Sequence, residues 1–183
     1  FTKGQFTSPL SVAAAPTALN QLLTLNGFTT SAVDQLRRKT LEDLLTVDRE
    51  TPLVRAAQDS TTNAITLSQS LNQDPVLATV FPNTTLGNQL KQIAKLIRFN
   101  QTTSAPLSRQ IFFCSLGGFD THQNQVTTQN NLLIQVGNAM KAFYDATIEM
   151  NVAQDVTTFT LSDFGRTFQP AGSGNIVGSD HAW

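Results

Sequence analysis

Six residues with side chains suited to metal or anion chemistry lie in three glycine-bearing segments of the second half of the chain. Each segment joins an aspartate to a histidine or an arginine. The residues are Asp120 and His122, Asp163 and Arg166, and Asp180 and His181. The chain has only two histidines, and both fall in this set, one or two positions after an aspartate. The combination is stronger evidence for a site than any one pair.

The first two segments carry groups that suit ester chemistry. A carboxylate oxygen and a neutral imidazole nitrogen, as in Asp120 and His122, are suitable ligands for a divalent metal such as zinc, manganese or calcium. Such an ion can polarise an ester oxygen and lower the pKa of a bound water. The planar guanidinium of Arg166 can hold two oxygens of a phosphate or a sulfate. Asp163 is a candidate ligand or an orienting group beside it.

Each feature also has a purely structural interpretation, which the residues alone leave open. Asp120 can cap a turn, and His122 can bind a backbone carbonyl. Asp163 and Arg166 can form a structural ion pair. The dipeptide Asp180-His181 by itself is too short to indicate a site.

The elements around these residues predict a βαβ unit. Residues 110–116 and 155–161 are apolar runs typical of buried strands, and a helix is predicted between them over 127–150. Such a unit has parallel strands and a right-handed crossover. Ligands bind beyond the carboxyl ends of parallel strands, so we expect the residues after 116 and after 161 to meet at one rim.

The first hundred residues predict helices. The leucines of 19–25 indicate a short helix, and Ser31 is a plausible N-cap for a longer one that ends near Val47. Further helices are predicted from Thr51-Pro52 to Asp74-Pro75, and from Thr84 or Thr85 to about Ile97. We therefore predict one domain over 1–183, with a mainly helical portion over 1–105, a βαβ portion over 106–183 and a loop over 167–183.

Composition excludes several classes of partner. A net charge of −1 gives no reason to expect nucleic acid, and no apolar run reaches the roughly 18 residues of a membrane span. Charged residues make up only 14% of the chain, with Thr, Asn, Gln and Ser in their place, which favours a secreted, periplasmic or cell-surface protein. The single cysteine, Cys114, excludes an internal disulfide, and its apolar setting indicates a core residue more than a nucleophile.

The three segments together resemble a known family. Gly117-Gly118-Phe119-Asp120-Thr121-His122, Leu161-Ser162-Asp163-Phe164-Gly165-Arg166-Thr167 and Gly178-Ser179-Asp180-His181 resemble the ordered motifs of the bacterial domain-of-unknown-function 1501 family, over about 111–183. That family is grouped with the alkaline phosphatase and sulfatase superfamily. The resemblance implies an α/β fold with a mostly parallel, doubly wound sheet and a metal-bearing rim. It also implies that Asp180 and His181 are a ligand pair, that Asp120 and His122 supply further ligands, and that the protein is exported.

The chain departs from the superfamily pattern in ways that shape two hypotheses. It has two histidines where a two-metal centre usually has about three, and family members continue well past the Asp-His pair. We therefore predict a partial domain of a longer protein. The first hypothesis is an exported, metal-dependent hydrolase of small phosphate or sulfate esters. The alternative is a non-catalytic exported component that keeps the fold and binds a protein partner at a surface or in an assembly.

Overall fold

A computed structural model of the chain describes residues 11–19, 30–71, 74–103, 106–168 and, for the backbone alone, 181–182. The chain divides into two compact units, one of residues 1–13 and 17–75 and the other of residues 14–16 and 76–183. The short helix predicted over 19–25 falls mainly on residues 20–29, which lie outside the described residues. All three motifs belong to the second unit.

The first unit is built on two helices, α1 (Ala32–Leu44) and α2 (Pro52–Ser70). The predicted cap of α1 is confirmed, because the Ser31 side chain accepts a hydrogen bond from the amide of Asp34 at 3.2 Å. No residue of α1 is buried. Instead, the buried amide of Gln58 donates to the carbonyls of Leu44 and Val47, at 3.1 and 2.5 Å, and so ties the end of α1 to α2.

The second unit is built on α3 (Thr85–Thr102) and α4 (Gln125–Glu149). Thr84 caps α3 as predicted, with its hydroxyl accepting from the amide of Gly87 at 3.1 Å. The two helices pack against each other along a row of small and large apolar side chains, in which alanines allow a close approach of the backbones. The core consists of Phe81, Leu86, Leu90, Ala94, Ala139, Ala142, Phe143, Ala146 and Met150.

Strands were predicted over residues 110–116 and 155–161, and neither segment forms a ladder with another described segment. Cys114, Leu116 and Val156 pack against the core, whereas Ile111 and Phe113 are more than four-fifths exposed. A strand is completed by the backbone of a neighbouring strand, and neither segment has such a neighbour within the described ranges. The parallel sheet and the alkaline-phosphatase-like fold therefore stay predictions.

Side-chain amides of α3 take the place of a neighbouring strand at Ser115, within the first segment, and at Leu107, just before it. The amide of Gln89 donates to the carbonyl of Ser115 and accepts from its N–H, each at 2.9 Å. Asn100 forms the same pair with Leu107, at 3.0 and 2.7 Å. Each amide matches one residue's donor and acceptor as a strand would, so residues 107–115 are fixed to α3 without a sheet.

The ladder that the described residues do form is short and antiparallel. Strand β1 (Gly165–Arg166) pairs with strand β2 (His181–Ala182), with Gly165 opposite Ala182 and Arg166 opposite His181. The prediction of a loop over 167–183 is wrong for residues 181–182, which pair with β1. The backbone of His181, the last residue of the third motif, is thereby brought beside the second motif.

Candidate functional site

The first motif forms a tight loop between residue 116 and the start of α4. Gly118 has a φ of 96°, a conformation that favours glycine, and Asn124, at the other end of the loop, has a φ of 51°. The Thr121 amide donates to the Phe119 carbonyl at 2.9 Å. The chain therefore turns sharply here and leaves Asp120 and His122 near its apex.

Asp120 and His122 face each other, as a shared site requires. Their Oδ1 and Nε2 atoms are 3.1 Å apart, and the side chains are 56% and 58% exposed. Two ligands about 2.1 Å from one ion lie about 3.0 Å apart at a right angle and about 3.4 Å apart at the tetrahedral angle. The observed separation fits two ligands of one divalent ion. It also fits an imidazole–carboxylate hydrogen bond, so the interpretation as a structural contact stays open.

The guanidinium of Arg166 is directed at this loop. One terminal nitrogen donates to the Thr121 carbonyl at 2.7 Å and the other to the Phe119 carbonyl at 2.5 Å. The guanidinium carbon also lies 5.6 Å from the centre of the Phe164 ring, within the range of a cation–π contact. The fork that was predicted to grip a phosphate or sulfate thus grips two backbone carbonyls. The role of Arg166 in holding a phosphate or sulfate stays a prediction.

The same arginine lies at the junction with the third motif. Because Arg166 is the ladder partner of His181, their backbones are neighbours across β1 and β2. The second motif therefore touches the first through its side chain and the third through its backbone. Asp180 lies outside the described residues, so its predicted role as a metal ligand stays a prediction, as does that of the His181 side chain.

Asp163 is placed differently from the other candidates. It is exposed in the bend before β1, beside Ser162, whose hydroxyl donates to the Phe164 carbonyl at 2.7 Å. Among the described residues, the ion pair with Arg166 is not formed, and no three His, Cys, Asp or Glu side chains converge on one point. Completion of a metal site would thus depend on groups outside that described set.

One side chain that matters to the loop carries no sequence signal. The Gln129 amide, on the first turns of α4, donates to the Phe119 carbonyl at 3.0 Å. That carbonyl also accepts from Thr121 and Arg166, so three donors meet at one oxygen. No motif or spacing marks Gln129, because its acceptor is a backbone atom that every residue has.

Cys114, which was predicted to be a core residue, is partly buried at the edge of the core. It packs against the apolar cluster of α3 and α4, and burial raises the pKa of its thiol. A thiol in this state is a poor nucleophile at neutral pH. A separate groove of about 410 Å³ lies along α4 beside Phe143 and Tyr144, and no candidate residue lines it. The motif loop therefore remains the candidate site.

Comparison with known proteins agrees with the family resemblance. Residues 107–183, which include all three motifs, match the family described as "Protein of unknown function (DUF1501)". No curated protein and no solved structure matches the chain. Over the residues that the structure describes, no helix is both long enough and apolar enough to cross a membrane.

Proposed function

We propose that the chain is part of an exported, metal-dependent hydrolase of small phosphate or sulfate esters, with an alkaline-phosphatase-like fold. One observation carries the proposal. Arg166 joins the loop of Asp120 and His122 to the strand of His181, through two hydrogen bonds and one ladder position. Arg166 thereby has neighbours in the first motif and, through its backbone, the last residue of the third motif.

In this proposal Asp120, His122, Asp180 and His181 hold a divalent ion, and the observed 3.1 Å separation of the first two fits that role. An ion held by these residues would supply Lewis-acid chemistry at the ester oxygen and would lower the pKa of a water molecule. The exposed loop gives a small anion access from solvent, and Gly117 and Gly118 keep bulky side chains away from it. Asp163 supplies a further ligand or orients one of the histidines.

The test uses the full-length protein. Metal analysis after extensive dialysis is paired with assays on chromogenic phosphate and sulfate esters. Bound metal and turnover are expected, and both are expected to collapse in His122→Ala and in His181→Ala. Asp120→Asn is compared with Asp145→Asn, which removes an exposed carboxylate paired with Lys141 at 2.6 Å on α4. The second aspartate variant is expected to keep both metal and turnover.

One observation favours the alternative of a non-catalytic surface or assembly component. Large apolar side chains, including Ile111, Phe113 and Leu161, are more than four-fifths exposed along the extended segments. Exposed apolar surface of this kind marks contacts between proteins. A full-length protein that is folded, free of metal and inactive on both esters would contradict the hydrolase and support this alternative.

A further inference from the structure

We infer that Arg166 is a positioning residue, whose guanidinium sets the directions of the Asp120 and His122 side chains. The inference deepens the proposed function and rests on it for the identity of the bound ion. Its geometric part stands on the hydrogen bonds of the loop alone. Arg166 would then act on the chemistry through these two residues and not by holding the substrate.

The hydrogen-bond pattern selects particular peptide groups. The Phe119 carbonyl belongs to the peptide group that leads into Asp120, and the Thr121 carbonyl belongs to the one that leads into His122. Arg166 donates to both, at 2.5 and 2.7 Å. Because a peptide group is planar, fixing its carbonyl also fixes the N–H and the Cα that follow it. One side chain therefore orients the backbone at both candidate ligands.

The chemistry of arginine suits this task better than that of lysine. Its two terminal nitrogens lie in one rigid plane and donate in parallel, whereas an ammonium is a single point on a flexible stem. Two carbonyls at positions i and i+2 of a tight loop present such a pair of acceptors. A lysine at position 166 would reach one of them at most, and the other peptide group would be released.

A second side chain, Gln129, also holds the loop, so the contribution of Arg166 can be measured separately from that of Gln129. The Phe119 carbonyl also accepts from Gln129 of α4, at 3.0 Å, while the Thr121 carbonyl is held by Arg166. Gln129 thus connects the loop to a long helix, and Arg166 connects it to β1 and to His181. Loss of Gln129 affects the Asp120 side, whereas loss of Arg166 affects both sides.

The experiment uses the full-length protein and Co²⁺ as the probe, followed by its visible absorption. Groups that orient metal ligands typically contribute about 10- to 100-fold to metal affinity. Arg166→Ala is therefore expected to weaken Co²⁺ binding by about that factor, with a changed visible spectrum. Arg166→Lys is expected not to restore it, Gln129→Ala to cause a smaller loss, and Asp145→Asn to cause none.

A second measurement needs no metal. The amide ¹H–¹⁵N resonances of Asp120 and His122 report on the two peptide groups that Arg166 holds. Both are expected to shift in metal-free Arg166→Ala, and mainly that of Asp120 in Gln129→Ala. Should Arg166→Ala not fold, Arg166→Lys and Gln129→Ala provide the same comparison.

The outcomes separate this inference from the proposed function. If the unmodified protein binds no Co²⁺, the metal-dependent hydrolase is lost, and the amide shifts alone decide the positioning role. If Arg166→Ala keeps both the amide positions and the Co²⁺ affinity, the positioning role is overturned. It is equally overturned if Arg166→Ala loses binding of inorganic phosphate and keeps Co²⁺ unchanged, because Arg166 would then hold the anion.

Discussion

The helix pair α3–α4 and the motif loop of residues 117–122 belong to the same compact unit but are stabilised in opposite ways. In the helix pair, Ala94, Ala139 and Ala146 are completely buried, and many apolar contacts share the stabilisation. In the loop, Asp120 and His122 are more than half exposed, and a few donors hold the backbone. The helix pair should therefore respond to changes in volume, and the loop to changes in individual hydrogen-bond donors.

This difference suits a site. An apolar core tolerates no charged group without a partner, so ligand side chains must stand outside it. They still need fixed directions, and here hydrogen bonds from Gln129 and Arg166 supply them. The scaffold provides rigidity, and a few polar contacts transfer it to the exposed residues.

The largest expected effect is in the core. Phe143→Ala removes a ring that is 5% exposed, whereas the adjacent Tyr144 is 56% exposed. Loss of a buried phenyl ring typically costs about 3–5 kcal/mol of the free energy of unfolding. Urea denaturation followed by circular dichroism should show this loss in Phe143→Ala and less than about 1 kcal/mol in Tyr144→Ala. Equal losses would remove the distinction between core and surface on α4.

Alanine substitutions at two glycines of the same helices are expected to change the free energy of unfolding in opposite directions. A Cβ at Gly87 would lie 2.1 Å from the Pro82 carbonyl oxygen, whereas one at Gly137 would meet nothing within 4 Å. Gly87→Ala is expected to cost about 1–3 kcal/mol through overpacking. Gly137→Ala is expected to gain about 0.5–1 kcal/mol, because alanine loses less conformational entropy in a helix. Thermal unfolding of both variants measures the two signs, and a stable Gly87→Ala would contradict the close packing before α3.

Much of the helical structure could be predicted from sequence because its signals are local. Ser31 and Thr84 cap the helices that they were expected to cap. The helix predicted over 127–150 was observed over Gln125–Glu149, since an apolar repeat along one chain segment fixes its own extent. Hydroxyl caps and helical periodicity act within a few residues, so a single sequence contains them.

The extended segments could not be predicted from local sequence signals in the same way. The apolar run at 110–116 predicted a strand, but a strand depends on a partner that the run itself does not specify. In the described residues Gln89 of α3 bonds the backbone of this run at Ser115, and Asn100 of α3 bonds Leu107 just before it. The abundance of amide residues, interpreted above as a sign of export, thus also has a structural use within the fold.

The candidate site could be predicted in part, from its residue types but not from its backbone contacts. The residue types of the first two motifs, and the topology expected around them, predicted that these motifs would lie together, and Arg166 does contact the loop of Asp120. The carbonyls that accept from Arg166 could not be predicted, because backbone carbonyls are the same in every residue. The sequence identified a group that donates pairs of hydrogen bonds, and the phosphate or sulfate expected as its acceptor stays a prediction.

A moderate effect is expected where an amide replaces a strand. Gln89→Leu removes the acceptor of the Ser115 N–H, which lies 2.9 Å away. A hydrogen bond of about 1 kcal/mol corresponds to roughly fivefold faster amide exchange at that residue. Gln89→Glu keeps the acceptor, so hydrogen exchange measured by NMR should remain close to that of the unmodified protein. Fast exchange at Ser115 in the unmodified protein would show that the amide pair does not hold the segment.

The smallest expected effect concerns Glu149, the last residue of α4. Its carboxylate accepts from the Thr79 hydroxyl at 2.7 Å and from the amides of Ala78 and Thr79 at 2.8 Å. The hydrogen bond from the Thr79 hydroxyl, then that from the Ala78 amide, lower the pKa of Glu149, and the charge of Arg98 adds to the effect. The shift favours the ionised form in the folded protein.

The sign of the pH dependence follows from this lowered pKa. The contribution of Glu149 to stability is present above the pKa of the unfolded chain and is lost as the pH falls through the lower pKa of the folded protein. Thr79→Val removes the main cause and should raise the pKa toward its ordinary value, so this contribution becomes smaller. A ¹³C NMR titration of the Glu149 carboxyl in both proteins measures the change. The effect on stability is expected to be small, because water competes for the carboxylate at this exposed position. An identical titration in the two proteins would show that Thr79 does not hold the end of α4.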